Sequence, residues 1–422
     1  MGRIMEKNDF SVVPFEAVAD IYVVNTCSVT DNADKKCRKI IREARTRAPE
    51  SKVVIVGCYA QLKPKEIAEI PGVDLVLGAA EKFNLPTHLH MLDNMEAEKA
   101  IACDINEVNE FVAAYSLGER TRSFLKIQDG CDYSCSFCTI PLARGKSRSA
   151  SLDQVIENAQ EIIAKGFKEI VLTGVNIGDY GKGLSNESIT FLNVIQALDQ
   201  LEGVERIRIS SIEPNLLTDE IIDFVASSKK FVPHFHIPLQ SGNDELLGKM
   251  RRRYKRQLYA DRVLRIKSKM PNACIGVDVI VGFPGETDVH FKDTYQFLLD
   301  IDISYLHVFT YSERPNTLAI DMEDIVPINV RKERSRQLRS LSLKKKRQFY
   351  TQFEHTEALV LWEAEKLGLE MHGFTENYIK VKKAFDPASI NQLELTKLLE
   401  IEADLVMTST IVSESIPSAS SF

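Results

Sequence analysis

Residues 129–141 read Asp-Gly-Cys-Asp-Tyr-Ser-Cys-Ser-Phe-Cys-Thr-Ile-Pro, directly after the apolar, strand-like stretch Phe-Leu-Lys-Ile-Gln at 124–128. Three thiolates this close in sequence can hold three corners of a 4Fe-4S cluster and leave the fourth iron open to a ligand that is not protein. A tetrahedral zinc site would need a fourth Cys or His nearby, and the next His along the chain is His234. A zinc knuckle or a buried trio of thiols is the alternative interpretation. The spacing C-x3-C-x2-C is set by Cys131, Cys135 and Cys138.

Length and composition are those of an ordinary globular protein with more than one domain. The chain has 422 residues, of which 44% are hydrophobic and 27% charged, so two or three domains are expected. No apolar run is long enough to span a membrane, and the N-terminus lacks the pattern of a secretory signal. Eight cysteines in such a chain favour metal ligation or reduced core thiols over disulfides. We therefore expect a cytoplasmic protein with no membrane partner.

Charge is unevenly distributed along the chain. The net charge is −7, and residues 351–422 hold five Lys against twelve Asp or Glu, so the remainder of the chain is neutral. Within that remainder, residues 249–269 hold ten Lys or Arg against Asp261 alone, and residues 331–350 hold nine against Glu333 alone. Such runs can pair with nucleic-acid phosphates. Solvated helix faces are the alternative.

The first hundred residues predict a small α/β domain. Short β-branched runs at 21–25, 52–57 and 73–77 alternate with helical patterns at 31–47 and 64–70, as expected for a parallel sheet with crossover helices.

The same alternation continues from residue 124 and predicts a partial, open barrel. Strand and helix alternation implies parallel strands with right-handed crossovers, and ligands of such sheets bind at the carboxyl ends of the strands. The strand-like runs lie at 124–128, 168–173, 205–210, 234–239, 274–281 and 303–310, and the helical patterns at 152–165, 189–201, 219–227, 257–269 and 288–299.

After residue 350 the pattern changes to short alternating segments that predict a small all-β module. The predicted organisation is an N-terminal domain at 1–105, a linker at 106–122, a core at 123–350, a β domain at 351–415 and a tail at 416–422.

The cysteine loop resembles that of the radical S-adenosylmethionine superfamily. The resemblance implies a (β/α)6 core in which the open iron binds the amino and carboxylate groups of S-adenosylmethionine. One-electron reduction then yields methionine and a 5'-deoxyadenosyl radical. It also implies a one-electron reductant such as flavodoxin or ferredoxin.

Two further boxes make the resemblance narrower. Cys27 lies in Asn-Thr-Cys at 25–27, and Cys58 lies in Gly-Cys-Tyr-Ala-Gln at 57–61. With the cysteine loop, these boxes resemble the methylthiotransferases, whose N-terminal domain holds a second 4Fe-4S cluster as the sulfur donor and whose C-terminal β module is a TRAM domain. In that family three cysteines hold the second cluster. The strand and cysteine that should precede the helix-like start at 2–5 are absent here, so we expect either a start further upstream or a two-cysteine variant.

The other cysteines are expected to have no ligand role. Cys37 lies in a segment that resembles a helix interior in the family. Cys103 and Cys274 are interpreted as core thiols.

The resemblance also implies residues that contact S-adenosylmethionine at the strand ends. Backbone groups of the loop after the second barrel strand would bind the methionine end of the cofactor, an acidic side chain at the third strand would bind ribose or the sulfonium side, and an aromatic between two cluster ligands would pack on adenine. Turn, capping and core roles are the alternatives. The residues are Phe137, Gly174, Asn176, Ser211, Glu213, Gln240 and Asp278. No catalytic acid or base is named, because the cofactors supply the reactivity.

Within the family the boxes at 25–38 and 128–149 look most like those of the tRNA enzymes that act at C2 of N6-threonylcarbamoyladenosine beside the anticodon. The resemblance implies a tRNA partner, no DNA, and two uses of S-adenosylmethionine, as radical source and as methyl donor. Arg144 is a candidate for a carboxylate or an RNA phosphate, and Lys380, Lys382 and Lys383 are candidate RNA contacts. Methylthiolation of isopentenyladenosine in tRNA, or of a ribosomal-protein aspartate, remains open. So does a non-catalytic RNA-binding protein with a structural metal.

Overall fold

The computed structural model describes residues 1–27, 31–91, 98–116, 121–186 and 188–412, and it leaves out the side chains of Arg3 and residues 31–34. Residues 28–30 after the Asn-Thr-Cys box, part of the predicted linker and the predicted tail lie outside the described residues. The chain forms two compact units, each described by itself below. Unit one comprises Met1–Glu110, Gly130–Ser147 and Ser312–Asp321, and unit two comprises Phe111–Asp129, Arg148–Tyr311 and Met322–Phe422. No helix among the described residues is long and apolar enough to cross a membrane.

Unit one is built on a four-stranded parallel sheet in the order β1-β2-β3-β4. Its central strand β2 is a run of β-branched residues buried on both faces, as parallel strands require. The strands are β1 (Ile21–Thr26), β2 (Lys52–Gly57), β3 (Leu75–Leu77) and β4 (Ala100–Ile101). The helices are α1 (Gly2–Glu6), α2 (Asp31–Arg47), α3 (Cys58–Leu62), α4 (Pro64–Ala68), α5 (Leu85–Met91) and, in the cysteine loop segment, α6 (Ile140–Arg144).

Unit two contains the predicted open barrel. Six parallel strands run in the order β6-β9-β10 and β11-β12-β13, with the bridges Ile207–Phe231 and Ser211–His236 beside β10 and β11. The edge of β6 pairs antiparallel with β5. The strands are β5 (Ala114–Tyr115), β6 (Arg122–Lys126), β7 (Gln128–Asp129), β8 (Arg148–Ser149), β9 (Glu169–Thr173), β10 (Arg206–Ile209), β11 (His234–His236), β12 (Cys274–Val281) and β13 (Tyr305–Thr310).

Helices cover one face of these strands. Phe235, Val277 and Leu306 belong to the apolar core on that side, so the residues that alternate with them face the concave side, called here the lumen. The helices are α7 (Leu152–Ala164), α8 (Phe191–Asp199), α9 (Asp219–Ser227), α10 (Asp244–Lys249), α11 (Arg256–Lys269), α12 (Asp288–Asp300) and α13 (Ile328–Thr351).

The C-terminal residues form a closed five-stranded barrel in the order β14-β15-β16-β18-β17, which confirms the predicted all-β module. Its interior is filled by fully buried Trp362, Met371 and Met407 among others. The strands are β14 (Glu357–Leu367), β15 (Glu370–Thr375), β16 (Lys380–Ala384), β17 (Leu393–Ile401) and β18 (Met407–Ile411).

This β module closes the amino-terminal end of the lumen. The Tyr378 hydroxyl donates to Glu169 Oε1 (2.6 Å) and accepts from Arg122 Nη1 (2.7 Å), and its ring lies 3.8 Å from the Arg208 guanidinium. Arg206, which is 3% exposed, donates to the carbonyls of Phe374 and Leu359 at 2.9 and 2.7 Å. The β module is therefore docked against the amino-terminal ends of β6, β9 and β10.

Candidate functional site

The three loop cysteines of unit one are half-buried and free of disulfides. The backbone N–H of Tyr133 donates to Cys131 Sγ, and that of Ile140 donates to Cys138 Sγ, both at 3.4 Å. Hydrogen bonds of this kind stabilise thiolates and tune a bound cluster. The donor set of Cys131, Cys135 and Cys138 therefore fits a 4Fe-4S cluster.

A glycine and two backbone contacts set the path of this loop. Gly130 has φ +73°, and a Cβ there would lie 1.9 Å from the Lys146 carbonyl oxygen, so only glycine fits. The Cys131 N–H donates to the Gly145 carbonyl (3.0 Å), and the Ser147 N–H donates to Asp132 Oδ1 (2.9 Å). These contacts hold the end of the loop, at residues 145–147, beside its beginning at residues 130–132.

Cys27 and Cys58 follow neighbouring strands of the unit-one sheet. The last register partners of β1 and β2 are Thr26 and Gly57, so both cysteines come directly after the same edge of the sheet. A Cβ on Gly57 (φ +100°) would lie 2.3 Å from the Thr26 carbonyl oxygen, which is why the strands can approach so closely there. Cys27 is exposed and Cys58 is buried. Their role as two ligands of a second cluster stays a prediction.

Arg144, the candidate for a carboxylate or an RNA phosphate, contacts a cysteine, and its role toward a ligand stays a prediction. Its Nε donates to Cys58 Sγ at 3.4 Å, within unit one. This contact could not be foreseen, because α3 and α6 are far apart in sequence.

The remaining cysteines agree with the interpretation as core or helix residues. Cys37 is buried in the interior of α2. Burial raises the pKa of the Cys274 thiol to about 12, so it stays protonated. Cys103 is half-buried.

The loop after β9 is held by Gln128. Its Oε1 accepts the N–H groups of Val175 and Asn176, both at 2.9 Å, so these backbone donors are already used. Asn176 is 3% exposed, and its Oδ1 has no hydrogen-bond partner among the described residues. An orphaned buried acceptor of this kind fits the amino group of a bound amino acid. Gly174 allows the close approach, since a Cβ there would lie 2.8 Å from Gln128 Oε1.

Glu213 and Gln240 each take part in an interaction within the protein. Glu213 forms a buried ion pair with Arg252; burial raises the Glu213 pKa, and Arg252 opposes that effect. Gln240 has φ +68°, a strained conformation for a residue other than glycine. Its N–H donates to the Asp278 carbonyl at 2.8 Å.

The structure brings Ser211 and Asp278 together through a histidine that sequence reasoning did not single out. Ser211 Oγ is 2.7 Å from His236 Nδ1, and His236 Nε2 is 2.8 Å from Asp278 Oδ1. His307, the register partner of Asp278, lies beside them. The available signal was the alternation of polar or aromatic side chains with buried apolar residues, His-Phe-His at 234–236 and Tyr-Leu-His at 305–307. Phe137 is half-buried in the cysteine loop of unit one, and its contact with adenine stays a prediction.

The two basic runs differ in the structure. In the first, ion pairs with acidic residues engage Lys249, Arg252, Arg262, Arg265, Lys267 and Lys269. In the second, Arg331 and Arg334 are buried, Lys345 donates to two carbonyls at the end of α12, and Arg336 pairs with Glu333. The exposed cations of α13 without an ion pair among the described residues are Lys332, Arg339, Lys344 and Arg347, called here the α13 basic row.

The proposed RNA contacts of the β module are largely neutralised. Lys382 pairs with Glu370 and Glu402, and Lys383 pairs with Glu394. The backbone N–H of Lys380 donates to the Tyr350 hydroxyl.

Comparison with known proteins narrows the assignment. Residues 125–298 match the Radical SAM superfamily, and residues 1–78 match Uncharacterized protein family UPF0004. The chain is similar in fold to the radical S-adenosylmethionine methyltransferase TsrM from Kitasatospora setae (TM-score 0.55, 15% identity, 70% of this chain and 62% of that one).

Curated relatives match nearly the whole chain. The threonylcarbamoyladenosine tRNA methylthiotransferase MtaB of Bacillus subtilis (strain 168) is 40% identical over 92% of this chain and 87% of its own. The enzyme of the same name from Aquifex aeolicus (strain VF5) is 40% identical over 89% of this chain and 90% of its own. The tRNA-2-methylthio-N(6)-dimethylallyladenosine synthase of Helicobacter hepaticus is 35% identical over 81% of this chain and 74% of its own. The chain belongs to the radical S-adenosylmethionine methylthiotransferase family.

Proposed function

We propose that this protein attaches a methylthio group to C2 of N6-threonylcarbamoyladenosine beside the anticodon of tRNA. The observation that carries the proposal is the pattern of similarity. Four relatives named for threonylcarbamoyladenosine are 36–40% identical to the chain, and those named for dimethylallyladenosine are 30–35% identical. Both groups modify tRNA by name, so the difference concerns the substituent on N6.

The cysteine loop and the unit-one pair have separate roles in this proposal. Cys131, Cys135 and Cys138 would hold the cluster that binds S-adenosylmethionine, and Cys27 and Cys58 would supply two ligands of the second cluster. Once bound, these groups supply an electron for homolytic cleavage and a sulfur atom for transfer. The protein contributes the N–H groups that stabilise the thiolates, and the buried, unpartnered Asn176 Oδ1 would accept the amino group of the cofactor.

Lumen residues of unit two are proposed to bind parts of S-adenosylmethionine. In the proposal, Ser211 and Asp278 contact the nucleoside part, and His236 fixes the orientation of both side chains. Glu213 contributes less to binding the cofactor, because its carboxylate already pairs with Arg252. Gln240 and Gly174 are proposed to border the cofactor in unit two, and the contact of Phe137 with adenine is proposed separately for unit one.

The α13 basic row supports a tRNA partner. From Lys332 to Arg347 the row covers about 22 Å of helix at 1.5 Å per residue. Its end borders a shallow depression that includes Lys344, Arg347 and Gln348. Exposed cations without ion pairs are the groups that release counterions on binding phosphates. The proposal further includes a flavodoxin- or ferredoxin-like electron donor and a cytoplasmic location, where tRNA is modified.

Reconstitution of the chain with iron and sulfide without oxygen tests the proposal. The protein is then given S-adenosylmethionine, dithionite and tRNA that carries threonylcarbamoyladenosine, and nucleosides are analysed by mass spectrometry. We expect the 2-methylthio derivative of threonylcarbamoyladenosine, and none from a Cys138→Ala variant. Product only on dimethylallyladenosine, or on no RNA at all, would contradict the proposal.

A further inference from the structure

Four polar side chains form a continuous row across neighbouring strands of the lumen. Ser211 bridges to His236, and Asp278 on β12 is the register partner of His307 on β13. The His236 and His307 ring centroids are 5.3 Å apart with their planes at 76°. The row therefore runs Ser211, His236, Asp278, His307, with a diagonal step between β11 and β12, because the register partner of His236 is Gly276 and Asp278 lies two residues further along.

His307 is the open end of this row. It is exposed, and its ring nitrogens have no hydrogen-bond partner in the described part of the chain. Its ring also contacts Tyr305, with centroids 5.2 Å apart, and Phe309, the next lumen residue along β13, is 46% exposed. An unused imidazole between two aromatic side chains can bind a flat, polar group.

The His307 imidazole is neutral near pH 7. Desolvation lowers its pKa, with His236 acting in the same direction and Asp278 in the opposite one. A neutral imidazole offers one donor and one acceptor. Tyr305 from its own strand and His236 and Asp278 from the neighbouring strands are the titratable groups that face it.

A metal ion is the other ligand that two histidines and a carboxylate could take. The ligand atoms of His236, Asp278 and His307 lie within 4.8 Å of one another. However, both ring nitrogens of His236 are already used, by Ser211 at 2.7 Å and by Asp278 at 2.8 Å. A metal would have to break the bond to Asp278, so the row favours an organic ligand.

We propose that His307 hydrogen-bonds the threonylcarbamoyl group on N6 of the target adenosine and so selects it over an apolar dimethylallyl group. The threonylcarbamoyl group carries urea, hydroxyl and carboxylate functions, whereas the dimethylallyl group carries no hydrogen-bonding function. A site built around polar groups rejects an analogue that leaves them unpaired. This inference rests on the proposed function and adds the residue that sets its specificity.

The test compares two substitutions of His307 on two RNAs. Stem-loops carrying threonylcarbamoyladenosine or dimethylallyladenosine are given to reconstituted wild type, His307→Leu and His307→Gln, with His355→Gln as an exposed control. For His307→Leu we expect kcat/KM on the threonylcarbamoyl RNA to fall at least tenfold, because about one hydrogen bond to the substrate is lost. His307→Gln restores most of it. Cleavage of S-adenosylmethionine without RNA stays within about twofold in all variants.

Three results would overturn the inference. His307→Leu could keep full kcat/KM on the threonylcarbamoyl RNA. It could lose RNA-free cleavage in proportion, which would make His307 a cofactor residue. The third result is metal binding by a variant in which all five predicted cluster cysteines are replaced by Ala. If this variant bound one Co²⁺, and the added substitution His307→Leu abolished that binding, the row would be a metal site.

A binding measurement separates this inference from the proposed function. Histidine ring signals of ¹³C-labelled protein are recorded with free threonylcarbamoyladenosine and with free dimethylallyladenosine, and the His307 signal is identified by its loss in His307→Gln. We expect it to shift with the first nucleoside only, even where wild type yields no product and the proposed function fails. An unmoved signal, or equal shifts with both nucleosides, would refute the role of His307.

Discussion

Neutralising two cations of the α13 basic row should weaken tRNA binding in a salt-dependent way. In Lys344→Gln/Arg347→Gln, both substituted side chains are exposed and make no ion pair among the described residues, so each lost charge removes one phosphate contact. Each contact contributes about 0.8 to the slope of log K against log salt. The slope should therefore fall by about 1.6, and affinity by about twentyfold at 0.15 M salt and about a hundredfold at 0.05 M.

The matched control removes the same charge from the other basic run. Lys249 and Lys269 are also exposed, but they pair with Glu245 and Asp223. Lys249→Gln/Lys269→Gln should change affinity less than about twofold, because paired cations release few counterions on binding. Fluorescence anisotropy with labelled tRNA between 0.05 and 0.3 M KCl measures both slopes. Equal slopes for the two double variants would refute the distinction between paired and unpaired cations.

Three further predictions concern stability and cluster retention. Tyr378→Phe leaves the 1%-exposed Glu169 without its donor and should lower the free energy of unfolding by about 2–3 kcal/mol; a loss below about 0.5 kcal/mol in urea titrations would contradict the docking role. Burial lowers the His234 pKa well below its usual value, so the free energy of unfolding should decrease as pH falls below about 6.5, by about 2 kcal/mol at pH 5. His234→Gln should lack that part of the decrease. Identical pH profiles of stability for wild type and His234→Gln would contradict this role of His234. Gly130→Ala places a Cβ 1.9 Å from a carbonyl oxygen, whereas Gly166→Ala at similar φ meets nothing within 4 Å; after reconstitution, only the first should lose iron, and equal iron contents would contradict the loop geometry.

Much of the fold could be predicted because the apolar runs are continuous and cleanly bounded. The strand predicted at 274–281 and the helices predicted at 31–47 and 219–227 have those bounds in the structure. The strand predicted at 234–239 ends at His236 instead, since the following residues turn through Gln240 at positive φ. The antiparallel edge strand β5, within the predicted linker, has only two residues and too little pattern to be seen.

The cysteine ligands could be predicted because they are close in sequence, whereas the lumen row could not. His236, Asp278 and His307 meet only because three parallel strands lie side by side: Asp278 is the register partner of His307, and the His236 side chain reaches it diagonally from β11. The basic runs show the same limit, because the acids that neutralise Arg262 and Arg265 lie on α9, more than forty residues earlier in the sequence. Charge runs therefore indicate a surface only after their partners are known.

The central claim is that the loop of Cys131, Cys135 and Cys138 holds a cluster that binds and cleaves S-adenosylmethionine. The most direct measurement is 5'-deoxyadenosine formed after dithionite reduction of the reconstituted protein, quantified by mass spectrometry. We expect 5'-deoxyadenosine from wild type and from Cys27→Ala/Cys58→Ala, and none from Cys138→Ala. Wild type that contains a full complement of iron and sulfide yet leaves S-adenosylmethionine intact would contradict it.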